Sequence, residues 1–326
     1  MIYITDYIED PDFERSIIGH CLRSFSGDRE DRLCAEVLLV WHFDVNEVSL
    51  ADFPKVKAIV RYGVGFDNID LDFCKSRGIK VFNNPDYGVD EVSDTALAMI
   101  MNFSRCISAY NHKARELVSN PDPLKPWQEN TNKNALRLKD ATLGLVGVGR
   151  IGSALALKMK NIVGNISFYD PYVVAGYEKV LGANRYDSLG GLLECSDIVS
   201  VHTPLGTETK GLINDSFVNS MKNGCILINS ARGGILSSKA CLYNGLKSGK
   251  IGAVGLDVLP EEPPLLDPND EFLSSWLDIN NEFSDRITIN PHTAYYSPQS
   301  YEEMRGKAAT MALKALQDQQ IQNRII

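Results

Sequence analysis

Short apolar runs rich in β-branched residues alternate with amphipathic stretches along nearly the whole chain. The runs predict strands at Ile2–Thr5, Val37–Val40, Ala58–Arg61, Lys80–Asn83, Thr142–Gly147, Asn165–Tyr169, Asp197–His202, Cys225–Asn229, Ala253–Asp257 and Arg286–Asn290. Between them, helical spacing of apolar positions predicts helices such as Asp94–Glu116, Ile151–Lys160 and Ser237–Ser248. Strands that alternate with helices imply right-handed βαβ units and parallel sheets covered on both faces. The chain shows no fixed-period repeat and no low-complexity segment.

One break interrupts this rhythm. Residues 118–135 open with three prolines within ten residues, Val118 to Trp127, and read as a connector. A second series of strands follows it. Two domains also suit 326 residues at about 150 residues per domain. After the last strand, Ser297 fits a helix N-cap and Pro298 the first helical position. That final helix could complete the second domain or pack back on the first.

Composition narrows the classes. The formal charge of −9 argues against a broad nucleic-acid-binding face, which needs basic residues. Any anionic substrate must be caught by a few local donors. No apolar run approaches the roughly 20 residues of a membrane helix. The N-terminus reads as a strand, not a signal peptide, so a cytoplasmic location is expected. The seven cysteines form no C-x-x-C pair and suit free thiols in a reducing compartment. The five histidines show no metal-ligand spacing, so no metal site is expected.

The strongest local signal is Gly147-Val148-Gly149-Arg150-Ile151-Gly152, behind the apolar strand 142–147 and opening a helix. Gly147 permits the tight turn, Gly149 lets the backbone approach a pyrophosphate, and Gly152 lets the helix pack closely. Phosphates would sit on the free N–H groups at the helix start. The next strand ends in Asp170, about 20 residues beyond the first glycine, where a ribose-binding acid is expected. A carboxylate accepts from ribose hydroxyls and repels a 2′-phosphate, so the cofactor reads as NAD(H), not NADP(H).

Three further stretches stand at strand ends: Asn229-Ser230-Ala231-Arg232-Gly233-Gly234, Asp257-Val258-Leu259-Pro260-Glu261-Glu262-Pro263, and Pro291-His292-Thr293. Singly, each has an ordinary role, as a surface ion-pair Arg, a solvated turn, or a capping His. Together, behind a dinucleotide fold, they make a chemical set. An Arg grips a carboxylate and polarises a carbonyl, a His moves a proton, and an acid orients the His.

With Arg61 to Asp70 (Arg-Tyr-Gly-Val-Gly-Phe-Asp-Asn-Ile-Asp), these motifs identify the chain as resembling the D-isomer-specific 2-hydroxyacid dehydrogenase family from about Val37 to Gly306. Within it, residues 84–102, Phe168 to Tyr172 and His292 to Ser297 are similar to the C-terminal-binding-protein co-repressor branch and its bacterial relatives. The resemblance implies an α/β protein of two doubly wound parallel-sheet domains. The substrate domain, 1–112 with 296–326, would be flavodoxin-like and discontinuous, because the last helix returns to it. The NAD-binding domain, 113–295, would be a Rossmann sheet, and the active site would lie in the cleft.

The resemblance also implies roles. Arg232 would bind the substrate carboxylate and carbonyl oxygen, His292 would be the acid/base, and Glu262, directly before the proline, would pair with it. The backbone of Val64 and Gly65 would hold the substrate carboxylate, with Arg61 close by. Arg150 and Ile151 would lie on the pyrophosphate. Thr203, Pro204 and Thr209 would line the adenosine side, Ser230 would also touch the cofactor, and Asp257 would face the nicotinamide carboxamide. Trp41, His42, Tyr87 and Tyr295 are candidates for a substrate side-chain pocket, or for ordinary packing.

The expected function is interconversion of a 2-oxo acid and its D-2-hydroxy acid with NAD(H), in a homodimer. The alternative is an NAD(H)-sensing co-repressor-like interaction module with little turnover. Two departures from the family pattern stand out. Ser93-Asp94 replaces a common Ala-Glu, and residues 269–283, with Trp276, form an extra stretch that could be a lid, a partner surface or a neutral insertion.

Overall fold

The computed structural model describes residues 1–121 and 124–326; Asp122 and Pro123 of the expected connector lie outside the described residues. The chain divides into two compact units, Met1–Gly88 with Tyr295–Ile326, and Val89–Ala294.

The first unit holds five parallel strands: β1 (Ile2–Ile4), β2 (Leu22–Arg23), β3 (Val37–Val40), β4 (Ala58–Arg61) and β5 (Lys80–Phe82), in the order β2-β1-β3-β4-β5. This is the flavodoxin-like order. All four residues of β3 are buried, as a strand covered on both faces requires. Alternate side chains serve two cores. Val37, Leu39, Ala58 and Val60 pack with Met304, Ala308 and Ala312 of the helix Pro298–Leu316. Leu38, Val40, Ile59 and Val81 pack with Leu50, Phe53 and Cys74. The helix Pro298–Leu316 begins as its sequence suggests. The Ser297 hydroxyl accepts the Ser300 N–H at 2.9 Å, and Pro298 takes the first helical position. It is pinned to the helix Asp12–Ile18 by Arg305, whose Nε donates to Glu14 Oε1 at 2.8 Å.

The second unit holds seven parallel strands: β6 (Thr142–Val146), β7 (Asn165–Tyr169), β8 (Asn184–Arg185), β9 (Ile198–Val201), β10 (Cys225–Asn229), β11 (Ile251–Leu256) and β12 (Ile287–Ile289). Their order is β12-β11-β10-β9-β6-β7-β8. The order reverses between β6 and β9, and the crevice beyond their carboxyl ends is where such sheets bind ligands. Among the described residues, no helix is long and apolar enough to cross a membrane.

Three differences from the sequence expectations have local causes. First, the expected helix 94–116 is two helices, Val89–Arg105 and Ile107–Ser119, with Cys106 between them at φ 53°. Asn102 Oδ1 accepts both the N–H and the hydroxyl of Ser108, at 3.0 and 2.9 Å, and the Ser104 carbonyl accepts from Leu136 N–H at 2.8 Å. Groups that would continue the helix are thereby claimed by other partners.

Second, the division near residue 112 expected from the sequence falls instead at 88/89. The helix Val89–Arg105 buries Ala96, Met99, Ile100 and Phe103 against Leu143, Leu145 and Ile228 of the second unit's sheet. Ser93 and Asp94 take part in that anchoring, because Lys158 Nζ donates to Ser93 Oγ at 2.8 Å and Asp94 Oδ1 at 2.7 Å.

Third, the stretch 269–283 is packed into the core. Its helix Glu271–Leu277 buries Phe272 and Leu273, and Trp276 lies half-buried against the same cluster.

Candidate active site

The cofactor cradle is built by backbone constraints. Gly147 has φ +90°, and a Cβ there would sit 3.1 Å from the His202 carbonyl and the Thr203 methyl. A Cβ on Gly152 would lie 2.2 Å from the Gly147 carbonyl oxygen, so only glycine lets the helix Arg150–Met159 seat against the loop. A Cβ on Gly149 would meet nothing within 4 Å, which leaves open space before the helix N–H groups of Arg150 and Ile151. Asp170 follows β7, and its carboxylate accepts Val148 N–H at 3.0 Å and Tyr172 N–H at 2.9 Å.

Thr203 Oγ1, Ser230 Oγ and His202 Nδ1 are buried with no hydrogen-bond partner among the described residues. Buried polar atoms are normally satisfied, and Thr203 and His202 touch the glycine loop itself. Open space at a helix start, an acid at the next strand end and orphaned donors suit a bound dinucleotide. Pro204 is exposed beside them. The Thr209 hydroxyl is engaged in its own turn, accepting Gly206 N–H at 2.8 Å and donating to the Pro204 carbonyl at 2.6 Å.

His202 was not singled out from the sequence. Its Nε2 is 2.8 Å from Ser200 Oγ, and burial lowers its pKa from 6.5 to about 4. The imidazole is therefore neutral at pH 7, a packed polar support under the loop. A lone His at a strand end carries no pattern that would reveal this.

Arg232 follows β10. Asn229 shapes its loop: Oδ1 accepts Ala231 N–H and Nδ2 donates to the Arg232 carbonyl, both at 3.1 Å. Gly233 sits so tightly against the next strand's loop that a Cβ would fall 1.8 Å from the Leu259 carbonyl oxygen. That contact brings the Arg232 loop beside Glu262. Glu262 Oε1 accepts Leu259 N–H at 2.8 Å, and Oε2 lies 2.7 Å from His292 Nδ1. A carboxylate can only accept, so Nδ1 carries the proton and Nε2 faces outward for proton exchange. Burial raises the Glu262 pKa. The hydrogen bonds from His292 and Leu259 N–H, with the charges of His292 and Arg232, outweigh it and hold the carboxyl below its ordinary value.

Asp257 carries the loop that bears the histidine. Its carbonyl accepts His292 N–H at 2.9 Å, and its Oδ1 accepts Thr293 N–H at 3.0 Å and Ala294 N–H at 2.9 Å. His292 itself has φ 55°. Burial raises the Asp257 pKa, against the lowering effects of His292 and these two N–H groups.

The other expected substrate residues belong to the first unit. Arg61 ends β4, and its Nε donates to Asn68 Oδ1 at 3.3 Å. The next loop exposes Val64, whose carbonyl accepts from Asn83 Nδ2 at 2.7 Å, and half-buries Gly65. The Tyr295 ring packs edge-on to Tyr87, centroids 6.0 Å apart.

Residues 97–294 match the family described as D-isomer specific 2-hydroxyacid dehydrogenase, NAD binding domain. The chain is 34% identical over 266 residues to a glyoxylate reductase of Korarchaeum cryptofilum, covering 81% of this chain and 73% of that one. It is 31% identical over 325 residues to a glyoxylate reductase of Thermofilum pendens, covering 97% and 91%. Among solved structures, D-lactate dehydrogenase of Aquifex aeolicus, complexed with NAD and lactic acid, superposes with a TM-score of 0.82. It is 28% identical, with 97% of this chain and 95% of that chain covered.

Proposed function

The chain belongs to the D-isomer-specific 2-hydroxyacid dehydrogenase family and is an NAD-dependent oxidoreductase, and we propose that Arg232, Glu262 and His292 carry its reaction. The substrate is a 2-oxo acid and the product its D-2-hydroxy acid, or the reverse. The observation that supports this most directly is the 2.7 Å contact of His292 Nδ1 with Glu262 Oε2.

When bound, the nicotinamide cofactor supplies the hydride that adds to C2. This chain's residues supply the remainder. The Arg232 fork donates to the substrate carboxylate and the ketone oxygen, drawing charge onto that oxygen. His292 Nε2 delivers a proton to it, and Glu262 stabilises the imidazolium and holds the ring in place. Val64 and Gly65 N–H groups, with Arg61, take the substrate carboxylate from the first unit. Gly147, Gly149, Arg150, Ile151 and Gly152 hold the pyrophosphate, Asp170 the ribose, and Thr203, Pro204, Thr209 and Ser230 the remaining cofactor surface. Asp257 adds the nicotinamide carboxamide to its support of the histidine loop. The Asp170 carboxylate favours NAD over NADP. By the family resemblance the enzyme acts as a cytoplasmic homodimer.

The test is NADH oxidation by the purified protein over a panel of 2-oxo acids, with His292→Asn alongside. Turnover should appear on at least one acid and fall by about 100-fold or more in the variant, while NADH still binds. NADH binding without turnover on any acid would point to a cofactor-sensing module instead.

A further inference from the structure

A continuous chain of aromatic rings runs along the carboxyl edge of the first unit's sheet. Trp41 stacks on His42 (5.1 Å, 18°) and leans on Tyr301 (5.8 Å); Tyr301 meets Tyr296 (5.9 Å), Tyr296 meets Tyr295 (6.4 Å), and Tyr295 meets Tyr87 (6.0 Å). From the enclosed Tyr62, 6.1 Å from Trp41, exposure rises to 55% at Tyr296. Rings that only filled the core would all resemble Tyr62.

The loops that carry the rings are tied to the loop proposed to bind the substrate carboxylate. Asp6, just beyond β1, accepts the N–H groups of Trp41, His42 and Phe43 at 2.7, 2.6 and 3.0 Å. Asn68 accepts from Arg61 and donates to the Phe43 carbonyl at 2.8 Å. Asn83, four residues before Tyr87, holds the Val64 carbonyl. Thus the ends of β1, β3, β4 and β5 are linked on one edge, where parallel sheets bind ligands.

We infer that this ring chain is the substrate's side-chain subsite, and that the preferred substrate is a 2-oxo acid with an aryl or large apolar group on C3. The inference rests on the oxidoreductase reading above and names the substrate class within it. Glyoxylate, with only hydrogen on C2, leaves the rings without a partner. An aryl group gains both burial and ring contacts.

The experiment compares kcat/KM for glyoxylate, pyruvate, 4-methyl-2-oxopentanoate and phenylpyruvate in the wild-type protein with NADH. Phenylpyruvate should exceed glyoxylate by more than about tenfold, the discrimination that a single added apolar contact can supply. In Trp41→Ala and Tyr295→Ala the phenylpyruvate-to-glyoxylate ratio should drop at least about fivefold, a comparison made within one preparation and so insensitive to partial unfolding. Glyoxylate or pyruvate used as well as phenylpyruvate by wild type overturns the inference and leaves the reaction class intact. An unchanged ratio in both variants also overturns it. No turnover on any acid overturns the reaction class, and the subsite with it.

Discussion

Asp257 fixes the backbone on which His292 rides: its carbonyl takes the histidine N–H at 2.9 Å, and its buried carboxylate takes the next two N–H groups. Asp257→Ala should therefore destabilise the fold by about 1–3 kcal/mol for each N–H left without an acceptor, whereas Asp257→Asn keeps an acceptor in place. Burial holds the Asp257 pKa above its ordinary 3.8. A raised carboxyl favours folding most in its protonated form, and that contribution is lost as pH rises through the raised value. Denaturant midpoints from pH 4 upward should show wild type losing stability relative to Asp257→Asn. The opposite trend would mean the N–H groups dominate over burial.

How much of this was legible beforehand follows from the kind of constraint. The ten strands expected from apolar runs are all present, because strands buried on both faces must be apolar throughout. The edge strands Leu22–Arg23 and Asn184–Arg185 are two residues each and too short to show a pattern. Gly147 and Gly152 were legible because backbone geometry admits no other residue there. The Cys106 break was not, since it depends on Asn102 and Ser108 side chains with no glycine or proline to mark it. The sequence left the 269–283 stretch open as lid, partner surface or insertion. Phe272 and Leu273 settle it as core packing, a matter of which face the helix turns inward.

His202 gives a second pH-dependent term, of opposite sense. Its folded pKa is depressed to about 4 from 6.5, so its contribution is complete above 6.5 and disappears as pH falls toward 4. Two to three pH units correspond to about 3 kcal/mol at most. Unfolding curves between pH 7 and 4 should be flatter for His202→Gln than for wild type. Parallel curves would place the imidazole in contact with water.

The buried pair in the first unit should behave as an all-or-none element. Glu14 is fully enclosed, Arg305 nearly so, and the Tyr62 hydroxyl donates to the same carboxylate at 3.1 Å. The guanidinium also lies over the Phe13 and Tyr301 rings, 5.1 and 5.4 Å from their centroids. Arg305→Met strands a buried carboxylate and should cost about 3–5 kcal/mol. Adding Glu14→Gln should recover part of that loss. A double variant no more stable than Arg305→Met would show that the arginine acts by packing on the rings, not by charge.

The substrate class rests on Arg232. A 2-oxo acid offers a planar carboxylate beside a ketone oxygen, and a forked guanidinium can donate to both. Arg232→Lys keeps the charge and loses the fixed pair of donors. Charged hydrogen bonds are worth about 1.5–3 kcal/mol each, so kcat/KM should fall about ten- to a hundredfold, 1.4 kcal/mol being about tenfold. Part of the loss should fall on kcat, because charge on the ketone oxygen grows toward the transition state. The Asn229 side chain, which shapes this loop through Ala231 N–H and the Arg232 carbonyl, is untouched by the substitution, so the loop should hold its form and NADH affinity should change little. Steady-state kinetics with direct NADH titration on one preparation separate the two effects. Near-normal turnover on the best 2-oxo acid would remove Arg232 from the reaction, and an equal loss of NADH affinity would place it on the cofactor instead.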